Sequence, residues 1–240
     1  LVLFGIEPKI RWPSDALALD KAARDARADA LLQQASFASR LARLHPVTAH
    51  KLGIEEQTLV WLITETNFNF ERHNETLDRL TTHINRLRAD PWLAEPAHAP
   101  KRRIRYLAKQ LNEASINRIN TAHQLVHDTR QLSNLYPAWS HNCVRWASFF
   151  GANPKAIAEA SNGRYTARAL YKMQQRWGIC EADPAHPHRT DEALQKIRRS
   201  LQLVRSAADR EQAATDRSLD ITKETREIQR FIRTRITPWI

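Results

Sequence analysis

The apolar residues of this chain recur every three or four positions through long segments, which is the spacing of one face of an α-helix. No segment alternates apolar and polar residues in the way that half-buried strands do. The pattern predicts long helices over residues 14–44, 55–88, 101–132 and 191–235. We therefore predict an all-α protein, a bundle of long helices with a small helix-turn-helix-like module in its basic central region.

Proline and glycine mark the expected ends of these helices. Gly53 is expected to separate a short helix or turn from the helix that begins near residue 55, and Tyr136-Pro137 is expected to break the third helix. The segment 89–100 carries three prolines and is predicted to be a loop. These breaks suggest a helical region 1–95, a basic region 101–180 and a long C-terminal helix within 190–240.

The last predicted helix has its own pattern. Its first apolar residues, Leu194, Ile197, Leu201 and Val204, alternate spacings of three and four, as in a coiled coil or bundle helix. The stretch 209–218 is almost wholly polar, so we expect it to be exposed or broken. A continuous helix over 191–235 would be longer than a small domain needs. It therefore suggests a homodimer or a helical protein partner.

Composition narrows the class of protein. The 240 residues are 42% hydrophobic, enough for a core without disulfides or metals. The only cysteines, Cys143 and Cys180, exclude a disulfide framework and fit a reducing compartment; the alternative is a single bridge between them. No apolar run approaches the roughly 18 residues that span a bilayer, and we find no secretory signal. We expect a cytoplasmic protein with no membrane partner.

Positive charge is concentrated in one block of the chain, whose formal net charge is +11. Residues 1–100 carry 12 Lys+Arg and 13 Asp+Glu, residues 101–180 carry 13 and 3, and residues 181–240 carry 12 and 10. Arginine outnumbers lysine 28 to 9, which suits phosphate and guanine recognition or, alternatively, reflects codon bias. Codon bias does not remove acids from one block, so the block itself predicts an anionic partner.

Within the block, residues 154–177 predict a short helix, an Asn162-Gly163 turn and a second helix. Small Ala158 and Ala160 would let the two helices cross closely. The segment resembles the helix-turn-helix unit common in bacterial DNA-binding proteins. The alternative is a helical hairpin that packs on the bundle with a basic outer face, because the spacing from Ala158 to Gly163 is one residue longer than usual.

The resemblance places Arg164 and Tyr165 at the amino end of a recognition helix, nearest the base edges, and Lys155 and Lys172 against phosphates. A second basic group opens the helix at Lys101, where cations oppose the helix dipole and an external anion would relieve the conflict. The alternative is a solvated helix face. The candidate nucleic-acid-binding residues are Lys101, Arg102, Arg103, Arg105, Lys109, Lys155, Arg164, Tyr165, Thr166, Arg168, Lys172 and Arg176.

Aromatic residues are interleaved with the block's arginines and allow two interpretations. They would stack on unpaired bases, or they would fill the core. Core is favoured for Trp146, Phe149 and Phe150 because of their helical spacing. The full set is Trp139, Trp146, Phe149, Phe150, Tyr165, Tyr171 and Trp177.

Evidence for metal or enzyme chemistry is weak. His123 and His127 lie one helical turn apart, but Gln124 stands where zinc hydrolases carry a glutamate. A second set, with no zinc-finger spacing, is His141, Cys143, Cys180, His186 and His188. The chain has no phosphate-binding glycine loop, nucleophile elbow or dinucleotide fingerprint, and we predict no cofactor and no catalytic residue.

Three functions remain open from the sequence. The leading hypothesis is a nucleic-acid-binding protein that favours duplex DNA over RNA. The second is a helical scaffold or assembly subunit of a larger complex. The third is a helical metal-dependent enzyme built on His123 and His127.

Overall fold

A computed structural model describes residues 46–177 and 187–240 of the chain, with side chains described over 54–177 and 190–240. Within these ranges the protein is built from helices, and no strand occurs among them. The all-α prediction is confirmed. The helix predicted over residues 14–44 lies outside the described residues.

Three long helices and three short ones make up the described structure. The connection after α1 follows the predicted loop, with one short helix and one 3-10 turn inside it, Pro96–His98. The helices are α1 (Pro46–Arg88), α2 (Pro91–Ala94), α3 (Lys101–Phe149), α4 (Pro154–Ala160), α5 (Ala167–Arg176) and α6 (Pro187–Phe231). A π turn (Ile232–Ile236) and a 3-10 turn (Thr237–Trp239) follow α6.

Two predicted helix breaks are wrong. Helix α1 runs through Gly53, and α3 runs through Pro137. An interior glycine costs about 1 kcal/mol relative to alanine and an interior proline about 3 kcal/mol. In α3, the side chains of Tyr136 before the proline and of Val144 after it are buried. Their burial offsets the backbone hydrogen bond that the proline cannot form.

The polar stretch of α6 is neither broken nor fully exposed. Its buried positions continue through residues 209–218, where Ala207, Ala214 and Ser218 follow one another at spacings of seven and four and all carry small side chains. The buried residues of α6 are Ala193, Ile197, Ser200, Ala207, Ala214, Ser218, Ile221, Thr225 and Ile228. A seven-residue repeat of this kind is typical of long helices that pack along a common seam.

The chain divides into two units that are each more densely connected inside than to the other. Of the described residues, unit 1 contains 46–65, 134–177 and 187–204, and unit 2 contains 66–133 and 205–240. The three long helices therefore each contribute to both units. The segmentation by composition into 1–95, 101–180 and 190–240 stays a prediction.

The core of unit 1 joins α3, α4, α5 and α6 around Trp146, which is 1% exposed. Glu56 of α1 is also buried, at 2% exposure. Its carboxylate lies 3.5 Å from the Lys196 ammonium, which in turn lies 4.1 Å from the centre of the Trp146 ring. Removal from water raises the pKa of Glu56 to about 7, although Lys196 and Asn142 act in the opposite direction.

Unit 2 has two apolar clusters, and polar pairs lie beside them. One cluster joins α1, α2, α3 and the end of α6, and the other surrounds Leu77 and Ala214. Arg118 is buried, and its Nη2 donates to Glu224 Oε2 at 2.6 Å. Buried Asp128 lies 2.7 Å from His73 Nδ1. The interior of unit 2 is therefore partly ionic.

The Glu56 carboxyl predicts a pH dependence of stability. In the folded protein it binds a proton more tightly than in the unfolded chain, where its pKa is about 4.5. Its ionisation therefore opposes folding increasingly as the pH rises from about 4.5 to about 7. Between pH 5 and pH 8 we expect wild type to lose about 2–3 kcal/mol more unfolding free energy than Glu56→Gln.

Chemical denaturation followed by circular dichroism at the two pH values measures this difference. Glu159→Gln, which alters an exposed carboxylate, is the control and should follow wild type. Equal pH dependence in Glu56→Gln and wild type would show that the buried carboxyl does not titrate in this range.

Candidate nucleic-acid interface

Helices α4 and α5 form a hairpin in unit 1 whose ends are fixed by side-chain caps. Asn153 Oδ1 accepts a hydrogen bond from the Ala156 amide at 2.7 Å and begins α4, and Pro154 occupies its first turn. The connection turns through Asn162 and Gly163, whose φ angles of 49° and 76° lie in the left-handed region. The predicted Asn-Gly turn is therefore present. Asparagine and glycine suit it because they tolerate the left-handed conformation best.

Helix α5 has one buried face and one exposed face. Leu170 lies in the core, and buried Gln174 donates from Nε2 to Ser148 Oγ and to the Ala152 carbonyl, both at 3.1 Å. These contacts fix the rotation of the helix about its axis. The residues of the outward face are Arg168, Tyr171, Lys172, Gln175 and Arg176.

The hairpin surface, defined here as Lys155, Arg164, Arg168, Lys172 and Arg176, is strongly basic. All five side chains are exposed, and none of them forms an ion pair within the described part of the chain. Glu159 is the only acidic residue between positions 151 and 177. Three of the cations recur every four residues along α5, so they form a row with intervals of about 6 Å.

The structure places three of the predicted site residues before the first turn of α5, which begins at Ala167. Arg164 and Tyr165 precede the helix and do not form its first turn. Tyr165 is half-buried, with its hydroxyl 3.4 Å from His141 Nδ1, and burial raises the pKa of the phenol. Thr166 is the N-cap, and its hydroxyl accepts from the Ala169 amide at 3.2 Å. The Thr166 hydroxyl therefore has a structural role.

A cluster of polar and aromatic side chains from α1 and α3 adjoins the carboxyl end of α5. The His141 ring lies edge-on to Trp177, with 5.9 Å between ring centres, and the Arg145 guanidinium lies 5.8 Å from the same indole. Arg145 Nη1 also donates to Glu55 Oε2 at 2.6 Å. Burial and the nearby Arg145 charge lower the pKa of His141. No sequence spacing predicts that these residues are neighbours, because α1, α3 and α5 are brought together only by the fold.

The second predicted basic group, Lys101 to Lys109 at the start of α3, lies in unit 2, whereas the hairpin belongs to unit 1. All five of its side chains are exposed. Arg103 lies 4.0 Å from Asp90, and Lys109 lies 3.7 Å from Glu113. Arg105 Nη2 is 3.4 Å from the Ile240 carbonyl oxygen. The two remaining members, Lys101 and Arg102, form no ion pair among the described residues.

The aromatic set divides as the core interpretation predicts, with one exception. Trp146 and Phe150 are buried in the unit 1 core, and Phe149 packs against it. Tyr171 is 57% exposed and shares the outward face of α5 with Arg168 and Gln175. Gln175 was not among the predicted site residues, and it was detectable from its spacing of four residues after Tyr171.

The described residues give no support to a metal centre. His123 and His127 are exposed, and no group of three or more potential ligands occurs in the described part of the chain. The Cys143 thiol is buried, which raises its pKa. Cys180 and His186 lie outside the described residues, as does the side chain of His188.

Comparisons with protein families, with curated protein sequences and with solved structures found no match to this chain. No helix in the described ranges combines the length and the apolar character that crossing a membrane requires.

The Thr166 cap gives a prediction that separates structure from ligand contact. Thr166→Ala should lower the unfolding free energy by about 1 kcal/mol, because the Ala169 amide loses its acceptor. Thr166→Ser keeps the hydroxyl and should remain near wild type. Chemical denaturation of the three proteins measures the effect. Equal stability of the alanine and serine variants would contradict the capping role.

Proposed function

We propose that this protein binds nucleic acid through the hairpin surface, with a preference for duplex DNA. The observation that carries the proposal is the outward face of α5, where three cations that form no ion pair among the described residues lie in a row beside Tyr171 and Gln175. Lysine and arginine neutralise backbone phosphates and release the counterions that surround them. Residues 151–177 contain a single acidic residue, Glu159, so the charge of the hairpin is largely uncompensated within that segment.

Base contacts are available from the same face. Arginine pairs with two acceptors of guanine, and glutamine pairs in the same way with adenine. Arg168 and Gln175 are exposed on α5, which has ten residues and is about 15 Å long. A single helix of this kind fits the major groove, which is about 12 Å wide. This favours a duplex over a single strand.

We propose that α4 and α5 act as a helix-turn-helix unit, with α5 as the recognition helix. Support comes from the rigid attachment of α5 to the core through Leu170 and Gln174, which presents its outer face in a fixed orientation. The connection of six residues between the helices is longer than the usual three or four. Arg164, in that connection, is then placed to contact the phosphate backbone rather than a base.

We also propose a cytoplasmic location. A buried free thiol at Cys143 suits the reducing cytoplasm, where we place the protein. The scaffold hypothesis remains the main alternative, because exposed Leu203 lies on α6 and offers a contact for a helical partner or a second copy. It predicts no dependence of nucleic-acid affinity on the hairpin cations.

Fluorescence anisotropy with a labelled DNA duplex tests the proposal. Arg168→Ala/Arg176→Ala should weaken binding by roughly 1–3 kcal/mol for each specific contact that is lost. Where the contacts are to phosphate, the slope of log K against log salt should fall by about 0.9 per residue.

The matched control is Arg198→Ala/Arg199→Ala, which removes the same charge from exposed positions on α6 in the same unit. It should lose much less affinity. If the two double variants lose the same affinity, the effect depends on net charge alone, and the hairpin surface is not the binding site. A wild-type protein that binds neither duplex DNA, single-stranded DNA nor duplex RNA at low salt would favour the scaffold hypothesis.

A further inference from the structure

A second basic feature lies in unit 2, where the amino-terminal half of α3 adjoins the end of α6. An open cleft of about 520 Å³ separates the two elements. Its walls carry three cationic side chains, Arg105 and Lys109 from α3 and Arg233 from the π turn. No acidic side chain lines this cleft among the described residues.

Each wall presents its polar groups on one face. Arg105, Lys109 and Asn112 are spaced by four and three residues, so they follow one another along the same side of α3. The opposite wall carries Gln229 and Arg233, which are also four residues apart. Two carboxamides therefore stand among the three cations, and they add neutral hydrogen-bond donors.

The position of Arg233 depends on the π turn. The Thr237 amide bonds to the Ile232 carbonyl five residues earlier, and the Thr237 hydroxyl donates to the same oxygen at 3.0 Å. The wider turn brings Ile236 into the apolar cluster, where it is completely buried. π turns are rare and occur often at functional sites. Here the turn holds Arg233 on a segment that buried Ile236 anchors to the cluster.

The three cations have little internal compensation. Arg105 contacts the main-chain oxygen of Ile240 at 3.4 Å, and Lys109 faces exposed Glu113 at 3.7 Å. Arg233 forms no ion pair within the described residues. Exposed ion pairs such as that of Lys109 contribute little and exchange readily for a stronger anion.

We infer that this cleft binds a ligand that carries two or more adjacent phosphate groups. Guanidinium groups donate pairs of hydrogen bonds to phosphate oxygens, and an ammonium adds a third positive charge. The volume lies within the usual range of small-ligand sites. Adjacent phosphates occur both in a free polyphosphate and along a nucleic-acid backbone. The site is independent of the hairpin surface, which belongs to unit 1.

Calorimetric titration of the full chain with inorganic tripolyphosphate tests the site. Arg233→Ala should weaken binding roughly 5- to 20-fold, and Arg233→Lys should restore part of the loss. The control is Arg230→Ala, which removes an exposed arginine from α6 that does not line the cleft. It should bind as wild type does. Thermal melts verify that every variant is folded.

A parallel titration with a DNA duplex distinguishes the two sources of phosphate. Loss of tripolyphosphate binding alone in Arg233→Ala assigns the cleft to a free polyphosphate, and loss of duplex binding alone assigns it to the nucleic-acid backbone. Losses with both ligands assign it to both. Equal effects of Arg233→Ala and Arg230→Ala, or no effect on either ligand, would overturn the inference. The hairpin variant Arg168→Ala/Arg176→Ala should retain tripolyphosphate binding, so failure of one proposal leaves the other intact.

Discussion

Close packing along the buried stripe of α6 is the constraint on which the rest of the structure depends. In unit 2 the stripe includes Ala214 and Ile221, which share a cluster with Leu77 of α1 and Ala122 of α3. Small side chains let helix backbones approach, and the seven-residue repeat keeps the contact in phase along the helix. In unit 1 the same stripe, through Ala193 and Ile197, joins the core that holds the α4–α5 hairpin. The exposed charges are therefore carried on a closely packed support.

Buried ionic groups restrict this packing further. Arg118 reaches Glu224, and Glu56 faces Lys196, each pair joining helices that are distant in sequence. Removing Glu224 would leave buried Arg118 without its carboxylate partner, and an uncompensated buried charge costs several kcal/mol. The pairs are therefore weak sources of net stability, but a shifted helix register would separate them. We interpret them as constraints on register, beside the apolar seam that supplies most of the driving force.

The sequence predicted helix type well and helix limits less well. Apolar spacing located α1, α3 and α6, because three-to-four periodicity survives whatever the helices pack against. Local signals failed at Gly53 and Pro137, where tertiary burial outweighs intrinsic preference. Apolar counting also missed the seam through residues 209–218, since alanine and serine give almost no hydrophobic signal. Of the candidate site, the sequence located α5. The capping role of Thr166 and the approach of His141 to Trp177 depend on the folded structure and have no sequence signal.

The placement of cations separates those that hold the fold from those available to a ligand. Arg118 and Arg145 each have a carboxylate partner at 2.6 Å, so their loss would be felt first as instability. The row on α5 has no carboxylate partner within 46–177 and 187–240, and its like charges four residues apart cost only about 0.2–0.5 kcal/mol per pair. Its removal should leave the fold intact or slightly more stable. A loss of binding without a loss of stability is then the signature of a ligand surface, and a structural role for these cations would give the opposite pattern.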